Sequence, residues 1–158
     1  MNISPPVSEN DPGDVHWVSV LITEAAADTE LTGVNVELQH LCRAAARHLG
    51  LTGATVRLTG GQQDVVAASS DATAHRHAEL QFDANEGPGH LALVLHRPVL
   101  VSDVQAMAAR WPGLALLAAG DGLEAIFVFP LQEGAVSLGV LEVYGDRIRH
   151  LTADEVSS

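Results

Sequence analysis

With 158 residues, 47% of them hydrophobic and 4% aromatic, the chain can build one domain around an aliphatic, alanine-rich core and needs neither metal nor disulfide to hold it. Its 20 acidic residues outnumber 8 basic ones, for a formal charge of −12; such a surface repels a phosphate backbone, which argues against direct nucleic-acid binding by this segment, and solubility accounts for the acid excess. A single cysteine, Cys42, excludes an intrachain disulfide, and without a signal-like start or an apolar run near about 18 residues the chain reads as cytoplasmic and unattached to a membrane.

Residues 1 to 13 carry Pro5, Pro6, Pro12 and Gly13 without periodicity and read as a flexible leader to a single domain over residues 14 to 155. From Asp14, a candidate N-cap, Val15, Val18, Leu21, Ile22 and Ala25 recur three and four apart as one stripe of an amphipathic helix. A second helix follows Gly33, with Val34, Leu38, Leu41, Cys42, Ala45 and Leu49 on one face and Gly50 at its C-terminal end. Cys42 lies in that stripe, as a small core residue rather than a reactive thiol.

"ATVRLTG" and "DVVAASS", joined through Gly60 and Gly61, form a candidate hairpin. Asp71 is placed to cap a helix running to about Gln81, and "HLALVLHR" gives a further short helix that Pro98 stops. "PVLVSD" is a short buried strand, and "VQAMAARW" and "GLALLAAGDG" are short helices around Pro112 and Gly113. "EAIFVFPL" and "AVSLGVLEVYG" form a second hairpin, apolar at nearly every position and therefore covered on both faces. The order predicts an α+β fold, a largely antiparallel sheet with helices on both faces. Thr152 to Glu155, "TADE", is a capping-box pattern; residues 156 to 158 begin a helix that is then cut short.

Four segments taken together, "HLGLTGATVRL", "ELQFDANEGPG", "RPVLVSDVQAMAARWP" and "AIFVFPLQEGAVSLGVLEVYGDRIRHLTADE", resemble the GAF sensor domain, in the version found in actinobacterial regulators that carry an RNA-binding ANTAR domain after it. The resemblance implies a GAF-like sheet of about six antiparallel strands, a ligand pocket between one sheet face and the middle helices, and a homodimer formed through the terminal helices. It also implies an output module beyond residue 158. Where such relatives read Phe-x-x-Gly-Glu-Gly-Pro-Cys, this chain has Phe82, Glu86, Gly87 and Pro88, with Asn85 in place of glycine and Gly89 in place of cysteine. Asn85 preserves a left-handed turn, whereas the change at Gly89 removes any thiol chemistry at that position. Glu86, just ahead of the helix near Pro88, is suited to capping orphan amides.

Other chemistry is sparse. The eight histidines show no metal-ligand spacing, so no metal is assigned, although a single axial histidine for a haem stays open. No Walker-type loop or catalytic triad is found. The methionine sulfoxide reductases that resemble GAF domains need two working cysteines, and Cys42 alone cannot supply them. Two non-enzymatic readings are left: a sensor whose small-molecule ligand acts through the homodimer, and a GAF-shaped dimerisation or interaction module without a ligand. No cofactor and no particular ligand are assigned. For the sensor, Phe127 and Phe129 are expected to face the middle helices and form an apolar wall with Leu91, Leu95 and Trp111, while Glu86 and His90 stand at the pocket mouth. For the dimer, the leading helix is expected to bury Trp17 or Val18 against its symmetry mate.

Overall fold

The computed structural model describes residues 31–60 and 63–157. The expected leader and the stripe at 15 to 25, with Trp17 and Val18, lie outside the described residues. Helix α1 (Leu31–Leu49) begins ahead of Gly33 rather than after it; of its expected face Leu38, Leu41, Cys42 and Leu49 are buried and Ala45 is half-buried, Ala46 is buried beside them, and Gly50 leaves the helix with a φ of 66°. Strands β1 (Gly53–Gly60) and β2 (Gln63–Ser69) pair antiparallel, as the hairpin signal predicts. Asp71 caps α2 (Ala72–Ala84), its Oδ1 accepting the Ala74 N–H at 2.8 Å. After α3 (Pro88–Leu95) come β3 (Val99–Val101), a 3-10 turn (Gln105–Met107) and α4 (Pro112–Asp121). The apolar hairpin forms β4 (Ala125–Glu133) and β5 (Val136–Gly145), and α5 (Ala153–Ser157) follows.

The strands form one sheet of order β2-β1-β5-β4-β3, antiparallel throughout. It has five strands among the described residues, where about six were expected. Helices cover both faces, and each face has its own apolar core. On one, the α1 stripe packs on Ala54, Val56, Leu141, Val143, Ala125, Phe127 and Phe129, with Val156 of α5 alongside. On the other, Ala74 of α2, Ala92 of α3 and Leu114 and Ala118 of α4 pack on Ile126, Val128, Val140 and Tyr144.

The alternation of β4 is as expected, but its direction is reversed. Phe127 and Phe129 face α1, and Ile126 and Val128 face the middle helices. Interior packing is set by complementary volumes rather than by uniform ones. The small residues Cys42 and Ala46 of α1 leave space over the sheet, and the two phenylalanines belong to the cluster that fills it.

The capping box forms as read from the sequence. Thr152 N–H donates to Glu155 Oε1 at 2.9 Å, and Glu155 N–H donates back to Thr152 Oγ1 at 3.2 Å. Arg149 ties this turn to α1 by donating to the Leu49 carbonyl at 2.7 Å and pairing with Glu155. The Arg149 hydrogen bond is the main cause that holds the Glu155 carboxyl down to about 2, with Thr152 assisting. Among the described residues no helix is long and apolar enough to cross a membrane.

Cys42 is fully buried, and burial pushes its thiol up to about 12 from 9.0. The native protein should therefore resist thiol reagents until it is denatured, and rapid labelling of the folded chain would contradict the packing of α1. Since the unfolded chain loses this proton from about pH 9 while the folded chain keeps it to about 12, folding stability should fall as pH rises through that interval. Cys42→Ser should cost about 1–3 kcal/mol in denaturant titration, because it buries a hydroxyl in apolar surroundings.

Candidate functional site

The face covered by the middle helices has a polar centre within its apolar core. Arg57 on β1 and Glu142 on β5 point to this side, and both are almost wholly buried. The Arg57 guanidinium meets Glu142 through Nη2 and Oε2 at 3.1 Å. Gln81 of α2 donates from Nε2 to both carboxylate oxygens at 3.0 Å. The Tyr144 hydroxyl donates to Glu142 Oε1 at 2.7 Å and lies 2.7 Å from Thr55 Oγ1, whose proton is thus directed at Tyr144. Burial, then the Glu142 charge, pushes the Tyr144 phenol well above its ordinary range, so it stays a donor.

Gln81 extends this network to the neighbouring loop. Its Oε1 accepts the Gly89 N–H at 3.0 Å, so one amide satisfies both the sheet carboxylate and the first turn of α3. Only this orientation of the amide matches an acceptor on one side and a donor on the other. The loop between α2 and α3 is shaped accordingly. Asn85 takes the left-handed conformation expected of it, with φ 54°, and Gly87 has φ 141° and ψ 176°, which side chains other than glycine's rarely adopt. A Cβ at Gly89 would run into Arg57 Nη2 and Glu142 Oε2. The ion pair occupies the space that a side chain would need.

Glu86 caps a helix, though not the one it precedes. Its Oε2 accepts the Leu114 N–H of α4 at 3.2 Å, in a helix whose N-cap residue, Trp111, makes no side-chain bond. The first turn of α3 is served by Gln81 instead. On the same face His77 lies edge-on to Tyr144, with ring centroids 5.3 Å apart, and its Nε2 is 3.0 Å from Asp121 Oδ2. Neither ring nitrogen is aimed to make a hydrogen bond, so the contact is one of proximity. Burial lowers the His77 pKa against the opposing pull of Asp121, which favours the neutral ring.

Above the network a cleft of about 310 Å³ opens to solvent, lined by Arg57, Gln81, Phe82, Asn85, Glu86 and His90. Phe82 is 41% exposed and covers the Arg57 guanidinium at 4.9 Å. Among the described residues, no group of three His, Cys, Asp or Glu side chains is placed to hold a metal ion.

The family model for the GAF domain matches residues 33–158. The chain belongs to the GAF domain family. Several solved structures share its fold, and two of them show the likeness. One is the GAF domain region of a protein assigned to the membrane of Geobacter sulfurreducens: TM-score 0.61, 18% identity, covering 86% of this chain and 95% of that one. The other is a domain assigned to a two-component sensor histidine kinase of Sinorhizobium meliloti: TM-score 0.59, 17% identity, covering 75% and 77%. Among curated proteins none matches this chain. GAF domains are a sensory and regulatory family, generally without catalytic activity.

Seven residues of this GAF domain were expected to line its pocket, and the structure brings two of them to the cleft, Glu86 and His90. Leu91 is half-buried and packs against the middle-helix core, where Trp111 is buried outright. Leu95 is 41% exposed. Phe127 and Phe129 lie in the opposite core and cannot line a pocket on this side. The apolar cavity expected between α3 and β4 is packed by Ala92, Ile126 and Val128, and the cleft is polar instead. The sequence reading passed over Arg57, Gln81 and Glu142. One of them left a signal: Glu142 is a lone charge in a strand read as covered on both faces, and such a charge must find a partner.

Gly89→Cys, which restores the residue usual in the resembling regulators, should destabilise this chain by about 1–3 kcal/mol or more through overpacking against the ion pair. A shift of the urea midpoint to lower concentration would register it, and an unchanged midpoint would refute the close approach. Glu142→Ala should cost about 3–5 kcal/mol because it strands a buried guanidinium. In the Arg57→Ala/Glu142→Ala double variant the loss should be smaller than the sum of the two single losses.

Proposed function

We propose that this GAF domain is a non-catalytic sensor that binds a small molecule in the cleft beside the α2–α3 loop. Its occupancy passes through a homodimer, formed by terminal helices, to an output module such as an RNA-binding ANTAR domain. One observation carries the reading: the open cleft has a buried, charged floor in which Gln81 connects the loop at Gly89 to Glu142 in the sheet. Such a floor costs stability unless fully satisfied, and it joins a solvent-accessible site to the centre of the fold. A ligand that moved the loop would disturb bonds made by β1, α2, α3 and β5 together. The reading places the protein in the cytoplasm.

A second reading, a GAF-shaped dimerisation module without a ligand, is favoured by the packed space between α3 and β4, where Ala92, Ile126 and Val128 leave no expected apolar cavity.

A thermal-shift screen with cyclic nucleotides, haem and short-chain metabolites separates the two, since a ligand that prefers the folded state adds about 2.7 kcal/mol of stability at a hundred times its Kd. The sensor reading expects at least one compound to raise Tm in the wild type and to lose most of its effect in Phe82→Ala. No shift with any compound would favour the module without a ligand. Sedimentation at tens of micromolar should show a dimer; monomer alone, with and without the hit compound, would sink transmission through a homodimer.

A further inference from the structure

Helices α2 and α4 meet at a buried histidine that takes no part in the polar network of the sheet. The His77 side chain is 5% exposed, and its ring stands edge-on to Tyr144. Nε2 lies 3.0 Å from Asp121 Oδ2, yet this oxygen and both ring nitrogens are buried without a hydrogen bond. The other carboxylate oxygen, Oδ1, accepts Arg76 Nε at 2.7 Å. A neutral imidazole has one N–H donor, whereas imidazolium has two, and at His77 each would be a desolvated donor without an aligned acceptor. The surrounding groups do not supply one. Asp71 caps the start of α2 through the Ala74 N–H, and His75 and Glu79 pair with each other on the exposed side of that helix. Beneath it, the Tyr144 hydroxyl donates to Glu142, and Glu142 pairs with Arg57.

The turn that carries Asp121 is built to give way. It lies between Gly120 and Gly122, where an added Cβ would meet nothing within 4 Å, and Gly122 leaves α4 with φ 72°. Asp121 stands at the C-terminal end of α4, where the helix dipole opposes a carboxylate. Sparse contacts of this kind mark a segment of low local stability. The start of the same helix is held from two sides: the Leu114 N–H donates to Glu86, and the Ala115 carbonyl accepts Gln105 Nε2 at 2.8 Å. We propose that the end of α4 is an acid-released latch: His77 takes up a proton when the Gly120–Gly122 turn lifts from α2 and water reaches the ring, so acidification drives this turn open while the start of α4 stays fixed. Burial lowers the His77 pKa in the closed fold from its ordinary 6.5, and an opened, hydrated ring returns to that value. Opening therefore binds a proton and is favoured as pH falls through that range. The device needs no ligand and stands apart from both the sensor reading and the module reading. A proton thereby acts on the helix that Glu86 ties to the rim of the cleft.

Amide hydrogen exchange in the isotope-labelled full chain tests the latch. The reporters are Gly122 and Leu123, whose N–H groups donate to the Ala118 carbonyl, with the β4–β5 ladder as reference. After correction for the pH dependence of chemical exchange, protection at Gly122 and Leu123 should fall about tenfold between pH 7.5 and 5.5, the factor by which an open ring titrating at 6.5 is favoured over a closed, neutral one. It should stay below the protection of the ladder throughout, as local opening requires. His77→Phe keeps a ring against Tyr144 and cannot titrate, so its protection should not change over this interval; His77→Gln makes the same test should the phenylalanine variant not fold. Equal protection of turn and ladder at each pH would make the effect one of global unfolding and overturn the latch. So would a wild-type profile that does not change, one in which protection rises in acid because imidazolium bonds Asp121 inside the fold, or a tenfold fall that persists in a variant without His77.

Discussion

A carboxylate at the centre of a covered sheet is the constraint on which this fold turns. Removing Glu142 from water costs several kcal/mol unless its lone pairs are met, and the donors that meet them come from separate elements: Arg57 from β1, Gln81 from α2 and Tyr144 from β5 itself. Apolar contacts are non-directional and tolerate sliding, whereas these bonds have short distances and fixed angles. The carboxylate therefore sets where α2 sits along the sheet. Through Gln81 and Gly89 it also sets where α3 begins.

The same arrangement explains the loop that borders the cleft. Gly89 leaves room for the guanidinium and carboxylate, and Gly87 and Asn85 take backbone conformations that bring the chain back over them. Glu86, sent outward by this turn, reaches the uncapped start of α4. One loop thereby joins α2, α3 and α4 through polar bonds, in a region where the helices themselves offer short, alanine-rich contact surfaces. The missing side chain at Gly89 and the buried pair beneath it are two sides of one packing solution.

Much of the fold was legible because local signals agreed with one another. The α1 stripe, the Asp71 cap, both hairpins and the capping box at Thr152 each rest on a period or a bond within a few residues, and each is found where the pattern puts it. The site was less legible because it depends on register and facing. Strand alternation separates Phe127 and Phe129 from Ile126 and Val128, but it does not say which set faces which helices. Judging that by size alone reversed the answer. The decisive clue lay across the ladder: Val128 pairs with Glu142 and shares its face, so the face that holds the buried charge cannot also hold the phenylalanines. Arg57 and Glu142 are 85 positions apart, and nothing local joins them. Glu86 was legible as a capping residue, but its target, Leu114, lies 28 residues away.

The position of the ion pair in the strand order has a consequence for how the chain reaches its native state. β1 with β2, and β4 with β5, are hairpins of adjacent segments, whereas the β1–β5 seam in the middle of the sheet joins distant parts of the chain. Closing that seam carries the largest loop entropy in the sheet and is the step that high contact order slows. Arg57 and Glu142 meet diagonally across the seam, Arg57 opposite Val140 and Glu142 opposite Thr55, so neither charge has to leave water until both hairpins exist. During synthesis from the N-terminus, the arginine-bearing hairpin emerges long before its carboxylate partner and waits hydrated. The final desolvation is thus coupled to the arrival of β5, which makes assembly of the sheet centre cooperative and late.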